Sequence, residues 1–386
     1  MDENQIIEEF IHSHQNEMRE LLEEIVMIES GSWQLEGIDK VNRVLIREFK
    51  EIGIEYYTIP MEEAGDTLIG DWNSHIKEEP IILMGHTDTV FSDGATIDNP
   101  FRVDEKGFVH GPGVYDMKGG LVIMLYTIRA LKEVGYDKRP IRLIISGDEE
   151  TLHQSSTGYD AIKKACDGAR YCLNYESGQL DNAIVVGRKG AGIARFIVKG
   201  IAAHSGSELE KGRSAIIEAS HKAIAIENCR EIDRGKLVNI GMIHGGLAVN
   251  IVPEDCTVEF GFRFPTNEIR DEILSDINMI MEMDFITGTK TSFELEALMD
   301  AMEVTDATKA LFNHFKKTAE NIHYGELKSI VEGGASDAAI SASMGIPTLC
   351  GMGIRGDNAH RDDEYAIISS LYERAVLSAC GIFTLD

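Results

Sequence analysis

Residues 80–88 read PIILMGHTD: four large apolar side chains in a row, a glycine, then a histidine and an aspartate. A short unbroken apolar run bounded by proline and glycine predicts a strand buried on both faces, since a half-exposed strand would alternate. The pattern returns at IRLIISG (141–147), YCLNY (171–175) and IPTLCGMG (346–353). Helical patterns lie between them, over Lys118 to Val134 and Ala335 to Met344. This alternation predicts an α/β unit built on a mostly parallel sheet with helices on both faces.

In such a sheet the functional crevice lies outside the carboxyl ends of the strands. Polar residues fall there. His86 follows PIILMG, Glu149 and Glu150 follow IRLIISG, and Glu176, in NYES, comes at the end of YCLNY. His360, in DNAHRDDEY, comes in the loop after IPTLCGMG, and Asp116, in GPGVYDMKGG, precedes the helix that begins near Lys118. Two imidazoles and three carboxylates at one sheet edge can hold a pair of divalent cations with a water between them. Imidazole and carboxylate without thiolate suit zinc, cobalt or manganese and not a structural cysteine site. The chemistry this points to is hydrolysis.

Asp88 stands two residues beyond His86 and can face the same way along an extended segment, where a carboxylate would fix the ring. The plain alternative is a turn aspartate. In GDEE the adjacent Glu149 and Glu150 should diverge, so that one binds metal and the other acts as general base; the alternative is an acidic helix start. GPGVYDMKGG lacks the Lys-Ser/Thr of a phosphate loop and does not come directly off a strand as a dinucleotide fingerprint would. Its glycines suggest a tight backbone that aims Asp116.

At 386 residues the chain is long enough for two domains. Its middle changes character: ARFIVKG, a helix over Ser214 to Asn228, LVNIGMIHGG, CTVEFGFRF, a helix over Asn267 to Met283 capped by Asn267, then TSFELEA. That β-α-β-β-α-β order predicts a ferredoxin-like domain over 190–300, inserted into a discontinuous catalytic domain of 1–189 plus 301–386. The net charge of -28 weighs against nucleic acid or an anionic membrane as partner. An anionic substrate would need local arginine. No apolar run reaches the ~20 residues of a membrane span. The N-terminus lacks a secretory pattern, and none of the six cysteines forms a CxxC pair. The expected setting is cytoplasmic.

The stretches MGHTDTVF, GPGVYDMKGG, SGDEE, YESG, GRKGAG, AAHSG, NIVPEDC with Arg263, GGASDA and DNAHRDDEY together resemble the M20 family of zinc peptidases, nearest its glutamate carboxypeptidase-like branch. The resemblance runs from about residue 81 to 365. It implies that His86, Asp116 and Glu176 hold one zinc and that Asp116, Glu150 and His360 hold the other, with Asp116 bridging. It also implies Glu149 as general base, Asp88 as the histidine-orienting acid and a cis peptide at Asp116–Met117. In the inserted domain, His204 resembles the residue that reaches a neighbouring subunit's site in a homodimer and steadies the oxyanion. Asn250 and Arg263 resemble the pair that grips a substrate carboxylate. Each has a local alternative: a histidine capping Ser205 to Ser207, a turn asparagine, and a strand arginine paired with Glu259 or another acid.

The activity implied is cleavage of an amide bond beside a free carboxylate in a small peptide. An N-acyl amino acid deacylase uses the same parts, and a non-catalytic binding protein could retain the fold. A glycosidase using Glu149 and Glu150 does not fit, because adjacent side chains cannot flank a sugar bond at ~5 Å or more.

Overall fold

The computed structural model describes residues 2–154 and 156–386. The chain separates into two compact units: Met1–Gly187, Val304–Glu332 and Ser336–Asp386 form the first, and Arg188–Glu303 with Gly333–Ala335 the second. The short return Gly333–Ala335, assigned by pattern to the outer segments, lies with the second unit, where Arg188 Nη1 donates to the Gly334 carbonyl at 3.2 Å.

The first unit opens with helices Glu3–Ser13, Gln15–Val26 and Leu35–Ile52. The first two bury Ile7, Ile11, Met18, Leu21, Leu22, Ile25 and Val26, the apolar set recurring at helical spacing. Strands β1 (Glu55–Ile59), β2 (Gly65–Trp72), β3 (Ile81–His86), β4 (Ile141–Gly147) and β5 (Tyr171–Asn174) follow. In the second unit come β6 (Gly190–Lys199), β7 (Leu237–Gly245), β8 (Asp255–Phe264) and β9 (Lys290–Met299). Back in the first unit, β10 (Thr348–Leu349) completes a six-stranded sheet of order β1-β2-β4-β3-β5-β10. β3 pairs parallel with β4 and β5, and β5 with β10, whereas β2 runs antiparallel to both neighbours. Every residue of β3 is buried, as its unbroken apolar run requires. The helix Gly119–Glu133 starts hard against β5's exit: a Cβ on Gly120 would meet the Tyr175 carbonyl at 2.0 Å. Only glycine permits that approach. The helix expected over 335–344 is shorter, Ala338–Ser343.

The second unit's sheet has the order β7-β8-β6-β9 with every pairing antiparallel, the ferredoxin-like arrangement. β8 alternates buried and less buried residues along its length, so one face meets the helices Ala215–Asn228 and Asn267–Met281 in an apolar core. The cap of the second helix differs from expectation. Thr266, in extended backbone, accepts from Ile269 N, and Asn267 stands inside the first turn with its side-chain oxygen on Ala301 N. Beyond that helix's far end, fully buried Lys222 donates to the carbonyls of Ile280, Met281 and Met283 at 3.0, 2.9 and 2.5 Å, with Glu218 3.3 Å away. The carbonyls left over at a helix C-terminus explain why a lysine is tolerated there. Among the described residues no helix is long and apolar enough to cross a membrane.

Candidate metal centre

His86 is the last residue of β3, between β4 and β5. Glu149 and Glu150 begin a single tight turn directly after β4, and Glu176 lies two residues past β5. Asp116 sits in the irregular Val114–Lys118 segment, with a cis peptide to Met117, and His360 occupies a left-handed backbone position (φ 66°). His86, Asp116 and Glu176 bring one ligand atom each within 4.8 Å of one another, and so do Asp116, Glu150 and His360. Asp116 faces both ways: its Oδ1 is 3.6 Å from His86 Nε2, its Oδ2 3.2 Å from His360 Nε2. Glu176 Oε1 is 3.4 Å from His86 Nε2, and Glu150 Oε2 is 3.2 Å from His360 Nε2.

These residues fit divalent cations on their own chemistry. His86 Nδ1 lies 2.9 Å from the Asp88 carbonyl and 3.3 Å from Asp88 Oδ1, which puts the ring hydrogen on Nδ1 and a lone pair on Nε2. Nε2 is buried and has no hydrogen-bond partner among the described residues; Glu150 Oε1 is in the same position. Buried polar atoms are rarely left so unless a ligand takes them. Burial raises the Asp116 carboxyl, but the adjoining His360 and His86 outweigh this and hold it low. Burial pushes Glu150 up to about 7, while Asp116 and Glu150 raise His360 to about 11. A cation that ligates this imidazole must therefore displace a proton. Glu149 belongs to neither ligand group; its Oε2 is 4.0 Å from His86 Nε2. Burial, then Glu176, push its carboxyl well above the usual range, a push that neighbouring cations would offset.

Several contributors were not legible from spacing. The Asp88 carboxylate does more than approach His86: it accepts from the backbone N–H of Glu149 and Glu150, each at 3.1 Å, and from Ser32 Oγ at 2.8 Å. The nearer partner of the His86 ring is its backbone carbonyl. Fully buried Glu364 accepts from Tyr115 N (2.7 Å) and Asp116 N (3.3 Å) and so holds the segment that aims Asp116; burial raises it to about 8. Buried His153 lies between Asp148 Oδ1 (2.8 Å) and Asp337 Oδ1 (2.6 Å), just past the Glu149–Glu150 turn. Glu364 was visible only as one more acid in DDEY, and Asp148 as one more in GDEE.

His204, Asn250 and Arg263 belong to the second unit. His204 pairs with Ile251 in a short antiparallel ladder, and Ser205 N donates to the Asn250 carbonyl at 3.0 Å, so His204 and Asn250 are close. His204 does cap its own loop: Gly206 N and Ser207 N donate to Nδ1 at 3.1 and 3.2 Å. A ring nitrogen that accepts two hydrogen bonds carries no hydrogen, which leaves the N–H on Nε2. Arg263, half-buried on β8, donates to the Phe262 carbonyl and has no acidic partner among the described residues, so the expected alternative of a pair with Glu259 is not realised.

Three comparisons bear on this site. The family model described as peptidase family M20/M25/M40 matches residues 82–380, well over half of the chain. Carboxypeptidase G2 from Pseudomonas sp. (strain RS-16) is 28% identical over 373 residues, covering 94% of this chain and 88% of that protein. A succinyl-diaminopimelate desuccinylase from Hydrogenovibrio crunogenus is 25% identical over 349 residues, covering 85% and 89%. The solved structure of aminopeptidase PepT from Bacillus cereus shares the fold, with a TM-score of 0.76 over 96% of this chain and 98% of that one at 24% identity. With the strand-end cluster of imidazoles and carboxylates and this match along most of its length, the chain belongs to peptidase family M20/M25/M40 and is a metal-dependent hydrolase.

Proposed function

We propose that this hydrolase uses two divalent cations, zinc fitting the donor set best, to cleave an amide bond next to a free carboxylate in a small peptide. The observation that carries this reading is the shared carboxylate: one Asp116 oxygen turned to His86 and Glu176, the other to His360 and Glu150. His86, Asp116 and Glu176 would hold one cation, and Asp116, Glu150 and His360 the other. Such a pair supplies the positive charge that makes a water acidic near neutral pH and polarises the scissile carbonyl. Glu149 takes the proton from the attacking water and passes it to the departing amine. Asp88 keeps Glu149 in place through its backbone N–H and keeps His86 in the tautomer a metal needs. His204, its N–H on Nε2, donates to the developing oxyanion in a neighbouring subunit's site.

Arg263 and Asn250 bind the substrate carboxylate, and a guanidinium with no acidic partner among the described residues supports this because its planar fork matches a carboxylate. Replacing Arg263 by alanine is expected to raise KM about tenfold or more for substrates with a free carboxylate and to leave amidated analogues little changed. Equal losses on both in steady-state assays would remove Arg263 from this role. The homodimer is supported by the edge strand β7, where Met242 and Ile243 are about half exposed, and by Ile224 on the helix Ala215–Asn228. None of the six cysteines is joined in a disulfide among the described residues, in keeping with a cytoplasmic setting.

A second reading, hydrolysis of an N-acyl amino acid, is favoured by the desuccinylase relative and requires the same Arg263. One experiment separates the two. Protein reconstituted with zinc or cobalt is offered dipeptides, N-acyl amino acids and folyl-glutamate analogues, with metal content measured alongside. Turnover of peptides or glutamyl amides is the expected result. Turnover confined to N-acyl amino acids would select the deacylase, and metal uptake with no turnover of any class would overturn both.

A further inference from the structure

Arg374, in the helix Ile368–Thr384, is fully buried, and none of its three guanidinium nitrogens has a hydrogen-bond partner among the described residues. It lies over an aromatic face, the Tyr324 ring, with Cζ 6.0 Å from the centroid. Burial works against the charge, but a guanidinium cannot shed its proton in a protein. A second arginine stands close. Arg355 is held at the start of the same helix, its backbone N–H on Ser370 Oγ at 2.9 Å, one turn before Arg374. Its Nη2 donates to Glu373 Oε2 at 2.5 Å, and its Nε is buried and also lacks a hydrogen-bond partner among the described residues. Glu373 is partly exposed and ion-paired with Arg355; it attracts Arg374 only at longer range and forms no ion pair with it among the described residues.

A buried charge without an ion-pair partner is costly, and neutral acceptors satisfy its hydrogens without offsetting the charge. We propose that Arg374 and the Nε edge of Arg355 form a buried site for a small inorganic anion of the halide class. Fork-shaped donors on two guanidinium groups suit a compact anion that accepts from several N–H groups at once. Access is at hand: Tyr324 and Glu373 line a surface cavity of about 450 Å³ with Tyr372 and Val376. The site has a bearing on the metal centre, because the segment from Arg355 leads to His360, and a Cβ at Gly356 would touch the Tyr115 ring beside Asp116.

The test compares thermal unfolding of the metal-loaded protein in sodium gluconate, chloride and bromide at one ionic strength. Chloride and bromide are expected to raise Tm by roughly 2 °C or more over gluconate, with saturation. Arg374→Met should abolish the difference. Bromide-soaked crystals of the unaltered protein should show an anomalous peak within hydrogen-bond distance of Arg374, a result that does not depend on the variant folding. Equal Tm in all three salts, a variant that responds like the parent, or only water at Arg374 would overturn the assignment.

Discussion

Replacing Glu149 by alanine is expected to lower kcat by about 100-fold to 10,000-fold while bound metal stays close to the unaltered content. The two halves of that outcome have separate causes. Glu149 lies outside both ligand groups, yet its Oε2 comes within 4.0 Å of His86 Nε2, so it borders the space where water would be activated. Its backbone N–H, and not its side chain, anchors the turn to Asp88, so truncation leaves Glu150 where it is. Glu149→Gln keeps the shape, cannot accept the proton, and should lose comparable activity. Metal analysis with steady-state kinetics decides the matter: metal lost from the alanine variant with high residual turnover would mean that Glu149 is a ligand and another group is the base.

His153→Ala is expected to destabilise the first unit by about 3–5 kcal/mol, the usual cost of removing one partner from a buried ionic cluster. Asp148 and Asp337 are almost wholly buried, at 1% and 2% exposure, and the imidazole between them is their shared cation. Ser156 Oγ also bonds Asp148, and Ser146 Oγ donates to Asp337 at 2.8 Å; neither brings positive charge. Burial pulls the His153 ring down, but Asp337 and Asp148 prevail and raise it well above its ordinary 6.5. A raised value in the folded state means that the stabilisation is fully present below about 6.5 and is lost as pH climbs through the folded value. Urea unfolding should therefore show the gap between the unaltered protein and His153→Ala at its widest near pH 6, and narrower in alkali. A gap that stays constant or widens with pH would refute the charged-histidine account. Because Asp148 adjoins Glu149, turnover should fall as well.

Much of this architecture was legible because burial on both faces leaves a plain mark. PIILMG and IRLIISG could only be interior strands, and the residues just past their ends could only gather at one edge. The same logic named the two histidines and three acids that lie together. What escaped was whatever depended on side chains from remote segments. Nothing in the spacing of Ser32, Glu364 or His153 foretold their partners, since each contact closes a loop of unrelated sequence around a buried carboxylate or amide. The Asn267 cap failed for a local reason: Thr266 precedes it with a side-chain oxygen that can also cap, and it is Thr266 that adopts the extended backbone a cap needs.

The two halves of the strand-end cluster differ in their contact with bulk solvent. His86 and Glu176 are closed in, at 1% and 6% exposure, whereas the side chain of His360 is 54% exposed. With two cations bound as proposed, a chelator would reach the outer one first, and dialysis should pass through a half-loaded species before the inner one leaves. Such a species would let one position be refilled with a spectroscopically visible metal while its neighbour keeps the original.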